Sequence, residues 1–167
     1  MKFLVILLLF ALHSLNLFSQ AIGRPEMRTA FHACSTGVKT ETFHKQLSNS
    51  ISSESIVQGY RGAVIALRAR YSFNPMKKYN YSKEGLNLIS QAIYHSPNDL
   101  ELRYLRIVIE SNIPAFLGMN CNLKEDKKII LNRIGREEDL HLKQIISSFL
   151  LKSNICTDNE KKLLASK

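Results

Sequence analysis

The chain has 167 residues, a length typical of one domain, which leaves no room for a catalytic core beside a separate binding module. Hydrophobic residues make up 45% and charged residues 22%, which excludes a chain that is disordered throughout. With 7 Gly and 4 Pro the chain is neither collagen-like nor a linker, and 3 Cys are too few for a disulfide scaffold. The formal net charge is +9.

The first segment of the chain carries a short apolar run. Lys2 precedes ten uninterrupted apolar residues, from Phe3 to Leu12. A membrane-spanning helix needs about 20 mostly apolar residues, so this run is half the required length. A positive start and a short apolar stretch are typical of a secretory signal peptide, which we place at 1–21.

Small residues near the end of this segment suggest where it is removed. We expect cleavage after Ala21, with cleavage after Ser19 as an alternative and an uncleaved N-terminal anchor as the other interpretation. The first cysteine, Cys34, lies too far away for a bacterial lipoprotein anchor. The sequence therefore predicts an exported protein, periplasmic or extracellular and not lipidated. Its mature part, 22–167, is expected to form a single domain without a transmembrane segment.

Removal of the signal peptide leaves a basic chain. The mature part has 22 Lys and Arg against 14 Asp and Glu, a formal charge of +8, because only Lys2 is lost. These cations are spread along the chain and form no block of five or six like charges. Together with export, this spacing argues against a nucleic-acid partner. A solvated basic surface is expected, with an acidic partner or an anionic envelope surface as the alternative.

Apolar spacing predicts consecutive helices. Leu142, Ile145, Ile146, Phe149 and Leu150 follow the three-and-four spacing of one helix face, and no segment shows sustained alternation typical of a strand. We expect helices at 25–35, 39–48, 54–73, 80–95, 99–112, 123–134, 138–152 and 158–165. The predicted class is therefore all-α, without significant sheet.

Several residues have the chemistry that begins a helix. Asn98, Asn122 and Thr157 each stand three residues before a Glu, in the arrangement of an N-terminal cap. Ser82 is a further predicted cap, and Pro25 suits a first helical turn.

One stretch indicates how the helices pack. Gly85, Ile89, Ala92 and Pro97 have the small, bulky, small and proline order that resembles the second helix of a tetratricopeptide repeat. We expect antiparallel helix pairs stacked in a tetratricopeptide-like array, without countable repeats, and the alternative is an irregular helical bundle in which the pattern arises by chance. Gly62 should allow a close crossing between its own helix and the helix that carries Gly85.

A wider resemblance covers residues 59–151. The strings at 59–75 and 101–118, followed by the acidic start at 122–126, resemble a family of short, exported, uncharacterised bacterial proteins. This resemblance implies an all-helical, tetratricopeptide-like fold and an exported location. It implies no catalytic residue.

Four arginines form the candidate site. Arg61 and Arg68 share one helix face, and so do Arg103 and Arg106. They either brace adjacent helices through carboxylates or form a basic groove that holds a carboxylate or phosphate. The available carboxylates are Glu101, Glu110 and Asp126.

A hydrophobic loop follows the helix of Arg103 and Arg106. It runs from Asn112 to Gly118, and we expect Phe116 and Leu117 to fill the core. The alternative is a loop that docks a partner protein through Asn112 and Phe116.

Signatures of chemistry are sparse. No Walker A, GxSxG, GxGxxG or HExxH pattern occurs, so we expect no cofactor, no metal and no catalytic residue. The cysteines at 34, 121 and 156 form no CxxC pair, and either buried thiols or one disulfide would fit them. We expect an interaction module of the cell envelope that binds a protein or peptide. The alternative is a small-anion-binding protein or enzyme that uses the arginine cluster.

Overall fold

A computed structural model describes residues 22–166, so the predicted signal peptide lies outside the described residues. About 75% of the described part is helical, and no strand occurs in it, which confirms the all-α prediction. Two 3₁₀ turns, Ala115–Leu117 and Ile134–Arg136, join the α-helices. Between residues 22 and 166 these are α1 Arg24–His32, α2 Gly37–Ser48, α3 Ser55–Tyr71, α4 Pro75–His95, α5 Leu100–Ser111, α6 Leu123–Arg133, α7 Leu140–Lys152 and α8 Asp158–Ala165.

The antiparallel pair α3 and α4 is built on the close crossing expected at Gly62. A β-carbon placed on Gly62 would lie 2.5 Å from the Gly85 carbonyl oxygen and 2.9 Å from the Ile89 backbone nitrogen. A β-carbon on Gly85 would in turn clash with the Gly62 carbonyl oxygen. The two backbones therefore touch at this point, which confirms the predicted crossing.

Helix α5 lies between two hydrophobic cores. Leu102 and Leu105 belong to the first core, which α1 to α4 complete. Tyr104 and Ile107 belong to the second, which α6, α7 and α8 complete. Because α5 packs on both sides, it is buried nearly all round, and its buried residues include the charged Glu101, Arg103, Arg106 and Glu110.

The start of α4 differs from the prediction. The helix begins at Pro75, five residues before the expected start, and the Asn74 side chain accepts hydrogen bonds from the first-turn amides. Ser82 is therefore not a cap but a buried residue within α4. The prediction was wrong because residues 73–80 are all exposed and show no burial pattern.

The other predicted caps have different outcomes. Thr157 and Glu160 form the full reciprocal box at the start of α8, as predicted. Asp99, rather than Asn98, caps α5 by accepting from the amides of the first turn. The Asn122 side chain makes no cap hydrogen bond at the start of α6.

None of the helices between residues 22 and 166 is both long enough and apolar enough to cross a membrane.

Candidate functional site

Arg103 and Arg106 converge on one buried carboxylate. Arg103 donates to Asp126 Oδ1 at 2.7 Å, while Arg106 donates to Oδ2 at 2.6 Å and to Oδ1 at 2.8 Å. The Asp126 side chain is fully buried, and both arginines are nearly so. These two predicted site residues therefore join α5 to α6 through a paired charge, in the bracing arrangement.

Arg61 and Arg68 lie elsewhere and do not join that cluster. Arg61 donates to two backbone carbonyls at the C-terminal end of α2. Arg68 pairs with Glu41 at 3.1 Å and lies 4.6 Å from the centre of the Tyr81 ring. Arg103 and Arg106 thus share one carboxylate, Arg61 and Arg68 each have other partners, and the structure does not bring the four together around one open space.

Glu101 is a second buried carboxylate, and it is the centre of a hydrogen-bonded network that the sequence analysis did not predict. Arg28 binds it at 2.6 and 3.0 Å, Arg24 at 3.1 Å, and the Tyr60 hydroxyl donates to it at 2.6 Å. Burial, followed by the charge of Glu101, raises the pKa of Tyr60 well above its ordinary value, so the phenol stays protonated. Arg28 also pairs with Asp139 at 2.6 Å, which ties α1 to the start of α7.

The hydrophobic loop at 112–118 borders an apolar groove of about 560 Å³, which we call the loop groove. Its other walls come from residues 66–70 of α3 and 75–82 of α4, with Ile109 at the end of α5. Asn112 and Phe116, both predicted site residues, line it. This volume lies within the range of about 300–1,000 Å³ typical of ligand pockets.

Phe116 does not fill the core, contrary to expectation. Ile113 and Met119 pack against the core, and the 3₁₀ turn between them carries Phe116 outward, so that the residue is 86% exposed. Leu117 is also exposed. The chain then reverses at Gly118, whose φ of 63° favours glycine. The expectation failed because apolar composition does not show which residues of a short loop reach the core.

Further exposed apolar side chains lie at and just before the start of α4, a helix that forms another wall of the loop groove. Phe73 is fully exposed and Met76 is 66% exposed, and they flank the groove-lining Pro75 in the chain. Tyr79 lines the groove and is also exposed. The loop at 112–118 and the start of α4 therefore each contribute exposed aromatic side chains to the lining of one concave surface.

The loop groove is positively charged. Arg70 and Lys78 line it, and no Asp or Glu is among its lining residues within 22–166. Both cations are exposed, and neither side chain makes a hydrogen bond or ion pair with any other residue that the structure describes.

A second groove of about 570 Å³ runs along α7. Its floor consists of Tyr104 and Phe149, whose ring centres lie 5.6 Å apart, and His32, His141 and Lys152 lie along it. Burial, then the neighbouring His141, lowers the pKa of His32. This groove is more open than the loop groove, and sequence analysis did not single it out.

Metal-binding and thiol groups are dispersed in the described part of the chain. Between residues 22 and 166 no three His, Cys, Asp or Glu side chains come together in a way that could hold a metal ion. Cys34 and Cys156 are buried free thiols, and burial raises the pKa of each. Cys121 is exposed and free.

Comparisons of this chain with protein-family models, curated proteins and solved structures found no match. The resemblance to exported, uncharacterised bacterial proteins accordingly stays a prediction, and the function has to be argued from the grooves and charges themselves.

Proposed function

We propose that this protein is a helical interaction module of the bacterial envelope that binds a segment of a partner polypeptide in the loop groove, without catalysis. The apolar run at 3–12 supports export, and the small-residue pattern from Gly85 supports tetratricopeptide-like stacking. Stacked helix pairs of that kind commonly offer concave binding surfaces, although fold alone does not decide function.

The observation that carries the proposal is the set of exposed, largely apolar side chains that line the loop groove. Phe116 and Leu117 come from the loop at 112–118, and Tyr79 comes from α4. Large contiguous apolar patches on a protein surface mark places that another molecule covers. Aromatic residues and methionine are also the residue types enriched in the centres of protein interfaces.

The position of these side chains favours a polypeptide over a small apolar molecule. A small molecule that filled the groove would leave much of Phe116 in water, since this groove-lining side chain is 86% exposed. A polypeptide segment would place one apolar side chain in the groove and cover the rim with its neighbours. Arg61 donates to backbone carbonyls, Arg68 pairs with Glu41, and Arg103 and Arg106 pair with Asp126. Because these arginines already have partners within the chain, this proposal is favoured over the anion-binding alternative.

The test is selection of binders from a random peptide library displayed on phage, with the purified protein immobilised. We expect enriched peptides whose binding Phe116→Ser weakens by about tenfold or more, because a central aromatic contact is lost. The matched control is Tyr94→Ser, which removes an aromatic side chain that is similarly exposed but lies outside the loop groove.

Both substitutions affect exposed side chains, so unfolding midpoints in urea should stay close to that of the unchanged protein. Failure to enrich any peptide would contradict the proposal. Peptides that lose affinity equally with Phe116→Ser and Tyr94→Ser, or with neither, would also contradict it.

A further inference from the structure

We infer that the partner segment is acidic, so that an Asp or Glu side chain next to its apolar anchor binds Arg70, Lys78 and Ser82 in the loop groove. This inference rests on the proposed function and adds the chemistry that selects the partner. It depends on three groups that line the same groove and lack partners within the described residues.

The first argument is the contrast between the groove cations and the other arginines. Arg28, Arg103 and Arg106 are nearly buried, and carboxylates of this chain neutralise each of them. Arg70 and Lys78 lie on different helices, yet neither has a carboxylate within reach among residues 22–166. The positive charge at this groove is therefore available to a ligand.

The second argument is the hydroxyl of Ser82. This residue is 8% exposed and lines the loop groove, yet its hydroxyl makes no hydrogen bond with any residue that the structure describes. No buried side-chain oxygen or nitrogen among the described residues lacks a hydrogen-bond partner, so the Ser82 hydroxyl is open to solvent and can donate to a ligand in the groove. Lys78 and Ser82 are four residues apart on α4, so their side chains lie on the same helix face.

The combination is suited to a carboxylate. A hydroxyl donor and two cations can all donate to carboxylate oxygens, and charge-assisted hydrogen bonds are stronger than neutral ones. A bound segment that covers the groove would displace water from these groups and reduce screening, which strengthens the attraction. Charge complementarity of this kind governs which partner binds and how fast it associates.

The probes are two pools of acetylated and amidated dodecapeptides with a central Leu or Phe. The flanking positions mix Ser with Glu in one pool and Ser with Gln in the other. The two pools therefore differ only in the charge of their side chains. Binding is measured by fluorescence anisotropy. We expect the Glu pool to bind about tenfold more tightly than the Gln pool at low salt, with a smaller difference at high salt.

Substitutions of groove-lining residues test whether the preference for Glu over Gln peptides arises in the loop groove. Arg70→Gln and Lys78→Gln should each weaken binding of the Glu pool by about three- to tenfold and change that of the Gln pool by less than about twofold. Ser82→Ala should also reduce the preference for Glu. The matched control is Lys83→Gln, an exposed cation on the same helix that does not line the groove, and it should leave both pools unaffected.

Several outcomes would overturn the inference while the proposed function stands. These are equal binding of the two pools, a Glu preference that survives Arg70→Gln combined with Lys78→Gln, and a requirement for a free peptide C-terminus. Displacement of the peptides by anionic phosphatidylglycerol vesicles, but not by neutral vesicles, would point to a membrane surface instead. If the displayed library yields no binder that depends on Phe116, the proposed function itself fails.

Discussion

Asp126 and Glu101 are carboxylates without solvent exposure, and two arginines hold each of them. Removal of one partner from a buried ion pair leaves an uncompensated charge, which costs far more than loss of an exposed pair. Burial therefore decides how much each pair matters to stability.

Asp126→Asn tests this at one residue. It should lower the free energy of unfolding by about 3–5 kcal/mol, because Arg103 and Arg106 keep their charge in a buried site. The control is Glu41→Gln, which breaks the partly exposed pair with Arg68 and should cost about 0–1 kcal/mol. Urea unfolding curves give both values, and equal losses would refute the distinction.

Residue-level prediction from the sequence succeeded where the partners are close in the chain. Asp126 was among the three expected carboxylates, and it lies only 20 and 23 residues from its arginines. Arg28 lies 73 residues before Glu101, and only the folded arrangement of α1 against α5 brings them together. The position of the Ser82 hydroxyl in the loop groove was also not predictable, because a serine that caps a helix and a serine that lines a groove look the same in sequence.

At the scale of the helices, the crossing of α3 and α4 decides which side chains fit between them. Gly62 faces backbone atoms of α4, and backbone cannot rotate away as a flexible side chain can. Helix pairs usually pack about 8–10 Å apart, a distance that the side chains at the contact determine. A larger residue at this point must push the two helices apart along their length.

Gly62→Leu should therefore lower the free energy of unfolding by about 1–3 kcal/mol or more, despite the better helix propensity of leucine. Gly37→Ala is the control, since its added β-carbon would meet only ordinary contacts, at 3.5 Å from the Tyr71 ring. Replacement of that glycine should be neutral or slightly stabilising. An unchanged or raised urea midpoint for Gly62→Leu would show that the crossing tolerates bulk.

The sequence predicts the presence of each helix more reliably than the residues at which the helix begins and ends. All eight expected helices are present in the described residues, because each buries a periodic apolar face. The first turns of α4 bury nothing and so left no periodic signal, although Asn74 followed by Pro75 is itself a typical helix start. The loop groove was not predictable, because it depends on how these exposed turns lie beside residues 112–117.

Across the whole molecule, α5 connects the two cores. Leu105 has no exposure on the side of the first core, and Ile107 has none on the side of the second. The contacts of Arg28 with Glu101 and Asp139 add a polar link from α1 to both α5 and α7. Neither core can lose α5 without exposing the other.

Leu105→Ala should therefore weaken both halves together. We expect a loss of about 2–5 kcal/mol, with the most protected amides of α3 and of α7 losing hydrogen-exchange protection by the same amount. Ile107→Ala on the opposite face should give the same pattern. If α7 amides keep their protection when Leu105 is truncated, the two cores unfold independently.

The exposed thiol of Cys121 has a practical consequence. It lies three residues after Gly118, at the end of the loop that borders the groove, whereas Cys34 and Cys156 are buried and their raised pKa values suppress the reactive thiolate. A maleimide fluorophore would therefore attach selectively at Cys121 without any engineered substitution. The native chain thus carries its own attachment point for a spectroscopic reporter of what enters the groove.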